Sequence, residues 1–278
     1  MDNKSELLDL LKDKKIAIYG AGYVGKTFYK ALSICGIAQN VECFIVSQTD
    51  PSQKGIYGIK IQSITEFKDR DDIVICLAVH ETIKKEIIGL LKKKGISKYL
   101  WISPYIFELF FGRPIQVGVN LSVDRIVDVC SDRHLAIRYL AIENYFGKNK
   151  EGYSIYKKAQ GLHCKRETAA KRLDAFINLI ESWDENGYLT DSKILIDDRY
   201  RLLNGFHRVT LARYFGQKEI AGDIYKSSPH YLEWIGNDIL LTKSRLSTAG
   251  FTKDELLMIE DAHKRLRINE TGRKDGEG

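Results

Sequence analysis

The sequence predicts an α/β protein of two domains, a parallel, helix-covered sheet followed by an α+β domain. Two observations carry this reading. In the first half, short apolar strands alternate with amphipathic helices. In the second, two short strands, an Asn-Gly pair, a His-Arg pair, a helix and a strand follow one another between residues 193 and 225. The size agrees: 278 residues at 44% hydrophobic content can enclose two cores.

Composition narrows the function classes. The formal charge is +6, and the 43 Lys and Arg are interspersed with 37 Asp and Glu, so nucleic acid is not indicated. Cys35, Cys43, Cys76, Cys130 and Cys164 form no CxxC pair, which fits a reduced, cytoplasmic protein. The start, MDNKSELLDLLKDKK, lacks the apolar core of a signal peptide, and no apolar run approaches the roughly 20 residues of a membrane span. Residues 269–278, NETGRKDGEG, offer nothing to bury and are expected to form a disordered tail.

The first domain is expected over residues 1–103. KKIAIYGAGYVGKTFYKALSICGI opens as a strand over Ile16 to Tyr19, turns through Gly20, Gly22 and Gly25, and continues as a helix. This G-x-G-x-x-G spacing between strand and helix is Rossmann-like: glycines allow a tight turn and close backbone approach to a phosphate, which the helix N-terminus stabilises. Gly20, Gly22, Tyr23, Val24 and Gly25 are therefore candidate cofactor-binding residues, with a purely structural turn as the alternative. VECFIV, DDIVICLAV and KYLWI read as further strands, and HETIKKEIIGLLKKKGI as a helix. Val46-Ser47-Gln48-Thr49 ends the second strand without the acid that would hold an NAD ribose, and Asp50 arrives late, which argues against ordinary NAD use. FIVSQTDPSQKGIYGIKIQSITEF resembles the nucleotide-binding domains attached to bacterial surface-sugar biosynthesis enzymes, which implies a nucleotide, a nucleotide sugar or a degenerate scaffold. Lys26 and His80 read as solvated or capping residues, and this half shows no catalytic acid, base or nucleophile.

Residues 104–130, which include the aromatic SPYIFELFFGRPIQVG, read as a linker that packs the two domains together, with an exposed partner surface as the alternative. SDRHLAIRYLAIENYFG reads as a helix capped by Ser131 with Leu135, Tyr139, Ile142 and Phe146 on one face and with His134 and Glu143 at the surface. KRETAAKRLDAFINLIESWDENG reads as a second helix with Leu173, Phe176, Ile177 and Ile180 buried and Gly187 at its C-terminus. Its Lys165, Arg166, Lys171 and Arg172 form either a solvated basic face or a set of cations converging on a phosphate. His163-Cys164 has no matching second pair, so no metal site is expected.

SKILIDDRYRLLNG reads as two strands joined at Asp198-Arg199, leading into NGFHRVTLARYFG. The latter places His207 and Arg208 in the first turn of a helix, whose N-terminus already carries partial positive charge. A backbone N–H cluster, an imidazole and a guanidinium together make a compact anion site. The alternative is that His207 packs locally while Arg208 pairs with Asp197 or Asp198.

ILIDDRYRLLNGFHR resembles the ParB/sulfiredoxin-like superfamily, whose D-G-H-H-R or G-C-H-R wording lines a nucleotide phosphate site. On this chain Gly205, His207 and Arg208 match, while Asn204 replaces the common aspartate and Phe206 the first histidine. YKKAQGLHCKRETAAKRLDAFINLIESW and YLEWIGNDILLTKSRLSTAGFTKDELLMIEDAH extend the resemblance to ParB-related domains found beside sugar methyltransferases and glycosyltransferases, so that this domain is expected over 131–268. The resemblance implies a nucleotide-dependent small-molecule kinase of bacterial cell-surface polysaccharide biosynthesis, using ATP or another nucleoside phosphate with Mg²⁺. Arg208, His207 and Lys165 or Arg166 would stabilise the phosphoryl group, Arg172, Asn204 and Gly205 would help bind the nucleotide, and Glu143 or Asp197 would act as base. The partners expected are a small-molecule or sugar substrate and, in a homodimer, a second copy. Alternatives are a non-catalytic nucleotide-binding regulatory module, a ParB-type DNA-binding protein and, on Gly20, Gly22 and Gly25 alone, an NAD-dependent dehydrogenase.

Overall fold

The computed structural model describes residues 4–49, 55–79, 81–127, 133–162, 164–188, 193–235 and 241–271. Asp50, His80, Cys130, Ser131 with its expected cap, His163 and the tail beyond residue 271 lie outside these residues. The chain forms two compact units: Met1–Arg113 with Ser228–Trp234, and Pro114–Ser227 with Ile235–Gly278. The division thus falls at Arg113/Pro114 rather than in a separate linker over 104–130, and a short later segment returns to the first unit.

The first unit is built on a six-stranded sheet of β1 (Lys15–Tyr19), β2 (Val41–Val46), β3 (Gly55–Ile56), β4 (Ile59–Ser63), β5 (Ile73–Leu77) and β6 (Leu100–Trp101). The order is β3-β4-β2-β1-β5-β6, and every pairing is parallel except the β3–β4 hairpin at the edge, so the sheet is mixed rather than wholly parallel. Central β1, KIAIY, is buried from Ile16 onward, the continuous apolar run that a strand covered on both faces requires. Because β1 lies between β2 and β5, the chain leaves it in one direction and returns on its other side, so the strand order reverses at β1.

Helices α1 (Lys4–Leu11), α2 (Tyr23–Ile34), α3 (Glu81–Lys93) and α4 (Ser103–Phe111) complete the unit, with α9 (Tyr231–Ile235) in the returning segment. Helix α3 places Glu81 in its first turn and Lys92 and Lys93 in its last, complementing the helix dipole. The aromatic segment is α4, begun by Pro104, with Ile106, Leu109, Phe110 and Phe111 buried. Trp234 meets Phe107 edge-on at 5.0 Å between ring centroids and Phe111 at 5.6 Å, so these aromatic residues pack on one another within the first unit. Helix α1, absent from the sequence reading, buries Leu7 and Leu11 and is tied to α4 by Lys4 Nζ donating to the Leu109 carbonyl at 2.9 Å.

The second unit has a four-stranded sheet of β7 (Gln116–Ser122), β8 (Ile194–Asp197), β9 (Leu202–Asn204) and β10 (Glu219–Tyr225), ordered β7-β10-β8-β9. Only β10–β8 is parallel. Its helices are α5 (Arg133–Tyr145), α6 (Gly152–Gly161), α7 (Arg166–Asn186), α8 (Phe206–Tyr214), α10 (Lys243–Thr248) and α11 (Lys253–Thr271). Residues 269–271, expected in the tail, continue α11.

Helix α5 corrects one expectation. It contacts α6, α7, α8 and α11, and every residue from His134 to Ile142 is buried, so His134 is not at the surface but 6% exposed. A helix enclosed on all sides has no solvent face for its polar residues to occupy. Helix α7 behaves as read, burying Ala169, Leu173, Phe176, Ile180 and Trp183 at helical spacing before Gly187 ends it at φ 71°.

Helix α6 was not foreseen. It crosses α5 so closely that a Cβ on Gly152 would lie 2.0 Å from the Leu140 carbonyl oxygen. Two asparagines set the crossing. Asn149 Oδ1 accepts from the Gly152 N–H at 2.7 Å while its Nδ2 donates to the Leu140 carbonyl, and Asn144 Oδ1 accepts from the Tyr153 N–H.

Candidate functional site

Two turns carry the residues expected to bind phosphate, and both are strand–glycine–helix junctions. In the first, Gly20 takes φ 119° and donates to the Ile45 carbonyl at 2.8 Å; a Cβ there would meet the Ala78 carbonyl oxygen at 2.5 Å. A Cβ on Gly25 would lie 1.8 Å from the Gly20 carbonyl oxygen, whereas a Cβ on Gly22 would meet nothing within 4 Å. The three glycines thus divide the labour: tight turn, open approach, helix–strand packing. Gly22 caps α2 with no side-chain hydrogen bond, Tyr23 is exposed, and Val24 is half-buried. At the end of β2, Ser47 Oγ and the Tyr19 hydroxyl lie 3.1 Å apart.

The second turn joins β9 to α8. Gly205 adopts φ 104°, and a Cβ there would lie 2.5 Å from Ile194 Cγ2, so the position demands glycine on both counts. Asn204 is exposed at the end of β9, and Gly205 caps α8 with no side-chain hydrogen bond. What distinguishes this turn is the set of side chains that three other helices bring to it.

His207 packs its ring against Phe176 of α7 at 4.3 Å, and its Nε2 shares a 2.8 Å hydrogen bond with the hydroxyl of Tyr156 on α6. Loss of water around the ring drives its pKa well below the usual imidazole value, and three guanidiniums drive it lower: Arg138 of α5, Arg208 of α8 and Arg172 of α7. All of these charges have the same sign. The imidazole is neutral at pH 7, and burial raises the Tyr156 phenol, which keeps its proton.

Each arginine donates to a neutral acceptor. Arg208 Nη1 donates to the Lys193 carbonyl, and burial lowers its pKa. Arg172 Nη1 donates to Gln160 Oε1 at 2.8 Å, and Arg138 Nη1 to the His134 carbonyl at 2.8 Å. Arg138 also stands over the Phe206 ring at 5.4 Å, on which His134 packs as well. Among the described residues no carboxylate is paired with Arg208, so the expected alternative pairing with Asp197 or Asp198 is not found.

Both aspartates hold backbone instead. Asp197, fully buried, accepts from the Arg199 and Arg201 N–H groups through Oδ1 and from the Arg201 guanidinium at 2.6 Å through Oδ2. Its lone pairs are filled, and they fix the β8–β9 turn in which Tyr200 takes φ 61°. Asp198 accepts from the Ser227 hydroxyl and N–H, which lowers its pKa. Glu143 sits on α5, ion-paired with Arg265 at 2.9 Å and within 3.4 Å of Asn149 Nδ2. No contact brings Glu143 or Asp197 to His207. Lys165 and Arg166 are exposed at the start of α7, and Arg172, two turns along, is the cation of that group whose charge acts on the imidazole.

The sequence reading missed Tyr156 and Arg138. Tyr156 lies on the unforeseen α6, and Arg138 on a helix read as having one buried face. The described residues contain no group of three His, Cys, Asp or Glu able to hold a metal, and no helix long and apolar enough to cross a membrane. Compared with known protein families, curated proteins and solved structures, the chain gives no match.

Proposed function

We propose that the second unit binds the phosphates of a nucleoside phosphate, or a closely similar phosphate ester, at the N-terminus of α8. The observation that carries this is the junction itself: Gly205 at φ 104° opens α8 with His207 and Arg208 in its first turn, and among the described residues no carboxylate is paired with Arg208. Cations gathered at a helix N-terminus are unfavourable to one another and to the dipole, and a bound anion removes both penalties. Arg208 offers a fork for two phosphate oxygens, and Gly205 leaves the backbone close to the ligand. A Mg²⁺ ion would accompany the nucleotide on its phosphates.

Phosphoryl transfer to a sugar or other small-molecule hydroxyl is the catalytic form of this reading, with Arg208 and His207 stabilising the moving phosphoryl group. The non-catalytic form, a nucleotide-binding regulatory module, is favoured by the commitment of Glu143 to Arg265 and of Asp197 to its own turn. The Rossmann-like reading of the first unit extends the proposal to a second phosphate-bearing ligand at Gly20, Gly22 and Gly25. The test is thermal unfolding with ATP, CTP or a UDP-sugar and Mg²⁺. Ligand at about 100 times Kd should stabilise the wild-type protein by ~2.7 kcal/mol and leave Arg208→Ala unmoved. An equal shift in both proteins, or none in either, would overturn the assignment; ADP release with a sugar acceptor separates the catalytic form from the regulatory one.

A further inference from the structure

We propose that β7 is a dimer edge: two copies of the chain pair their β7 strands antiparallel about a twofold axis at Leu121, which joins their two four-stranded sheets into one continuous sheet. The inference is independent of the phosphate reading.

Each sheet of the chain has two edges, and three of these four are protected by their shortness. Strands β3 and β6 are two residues long and β9 is three, with Val127 bridged to Arg201 beside it. Strand β7 is different: its seven residues, Gln116–Ser122, include no charge and no proline. Short strands, charges and prolines are the means by which soluble proteins keep an open edge from pairing, and β7 has none of them. Apolar side chains stand on it as well. Val117 is 61% exposed, the highest value for a large hydrophobic residue among those described, and Ile115 is 56% exposed.

A bulge bounds the free edge. Gly118 takes φ 65° where the register with β10 shifts, and its N–H donates to Asp223 Oδ1 at 2.7 Å. From Val119 to Ser122 the register with β10 is unbroken. The Val123 N–H donates to the Lys218 carbonyl at 3.0 Å, and bonding alternates along an antiparallel strand. Val119 and Leu121 therefore bond towards β10, while Asn120 and Ser122 turn their N–H and C=O groups to the open side.

Those outward groups set the pairing. With Asn120 of one copy opposite Ser122 of the other, and the reverse, each pair exchanges both of its N–H···O=C bonds. A register centred on Asn120 would instead need the N–H of Gly118, which Asp223 already holds. The pairing about Leu121 sets that buried side chain against its own twin and Val119 against the buried Val123 of the second copy, so apolar meets apolar. The exposed Asn120 and Ser122 meet on the other face. Charge agrees. The same register carries the exposed Asp124 of one copy towards Gly118 of the other, where Lys193 Nζ lies 3.5 Å from the position a Cβ would take. An acid approaches an amine at both ends of the pairing.

Sedimentation equilibrium of the full chain should give a species of twice the 31.8 kDa chain mass, and hydrogen exchange should show the Asn120 and Ser122 amides slowing as protein concentration rises through the transition. Asn120→Pro removes an N–H that faces away from β10, so the single copy keeps its own ladder and the dimer loses its pairing. This variant should sediment at the mass of one chain with an unchanged far-ultraviolet circular dichroism spectrum. Asp124→Lys should weaken the dimer by up to about fivefold. A chain that is monomeric at every concentration overturns the inference. So does a dimer that Asn120→Pro leaves intact, or an assembly that grows past two copies, since a twofold pairing closes on itself. The exchange measurement is made on the wild-type chain and decides the matter even where the proline variant fails to fold: doubled mass with unprotected β7 amides places the interface elsewhere.

Discussion

The turns at Gly20 and Gly205 share a backbone plan and differ in almost everything placed around it. Each follows a strand, each holds a glycine at positive φ, 119° and 104°, and at each a Cβ would come within 2.5 Å of a neighbour. Yet the first presents N–H groups, an exposed Tyr23 and the paired hydroxyls of Tyr19 and Ser47. The second brings a half-buried imidazole, a tyrosine and three arginines together from α5, α6, α7 and α8. The difference teaches that the glycine turn sets how near a ligand can come, while residues distant in sequence decide which charge it must bear.

The comparison breaks most sharply at the glycines. Gly25→Ala should cost about 3 kcal/mol or more, since its Cβ would collide with a backbone oxygen at 1.8 Å. Gly205→Ala should cost about 2 kcal/mol, from positive φ and the Ile194 side chain, which can yield by rotating. Gly22→Ala, facing open space, should change stability by no more than about 0.5 kcal/mol. Urea unfolding of the three variants ranks them, and a neutral Gly205→Ala would show that the two turns are not built alike.

A smaller effect separates the turns by pH. The folded state keeps His207 neutral, whereas the unfolded chain takes up a proton near pH 6.5. Stability contributed by the neutral ring is therefore complete above pH 6.5 and falls as the pH drops below it, by up to ~1.4 kcal/mol per pH unit, until the folded ring itself protonates. In ligand-free protein, His207→Asn should remove this component of the acid limb, and an unchanged limb would place the destabilising proton elsewhere. An effect smaller than those at Gly25 and Gly205 is expected at Glu143, whose partner Arg265 is 44% exposed. Glu143→Gln should cost no more than about 1 kcal/mol and leave nucleotide-induced stabilisation intact. Loss of that stabilisation would return Glu143 to the binding site.

Much of this was legible in local sequence. Both glycine turns, the strands around them and the cations at the start of α8 are consecutive residues whose meaning depends on their neighbours alone. Helix α6 was not; the signals for it are Asn144 and Asn149, whose side chains cap a helix only once α5 stands beside it. Tyr156 was hidden with it. Arg138 was hidden differently, since the pattern of α5 shows one apolar face and cannot show that α6, α7, α8 and α11 enclose the rest. Asp197 and Glu143 were chosen for their chemistry near the motif, and only side-chain geometry reveals that arginines already hold them.

The return of Ser228–Trp234 to the first unit sets a timetable for synthesis. Helix α4 has left the ribosome's decoding site long before Trp234 is added, and at roughly 5–20 residues per second the interval from Arg113 to Ser228 lasts about six to twenty-three seconds. Throughout that wait Phe107, Phe110 and Phe111 lack the indole that covers them in the finished protein. The nascent first unit is thus an unfinished body with an aromatic face, a natural target for a chaperone, and its completion is timed by the translation of the second.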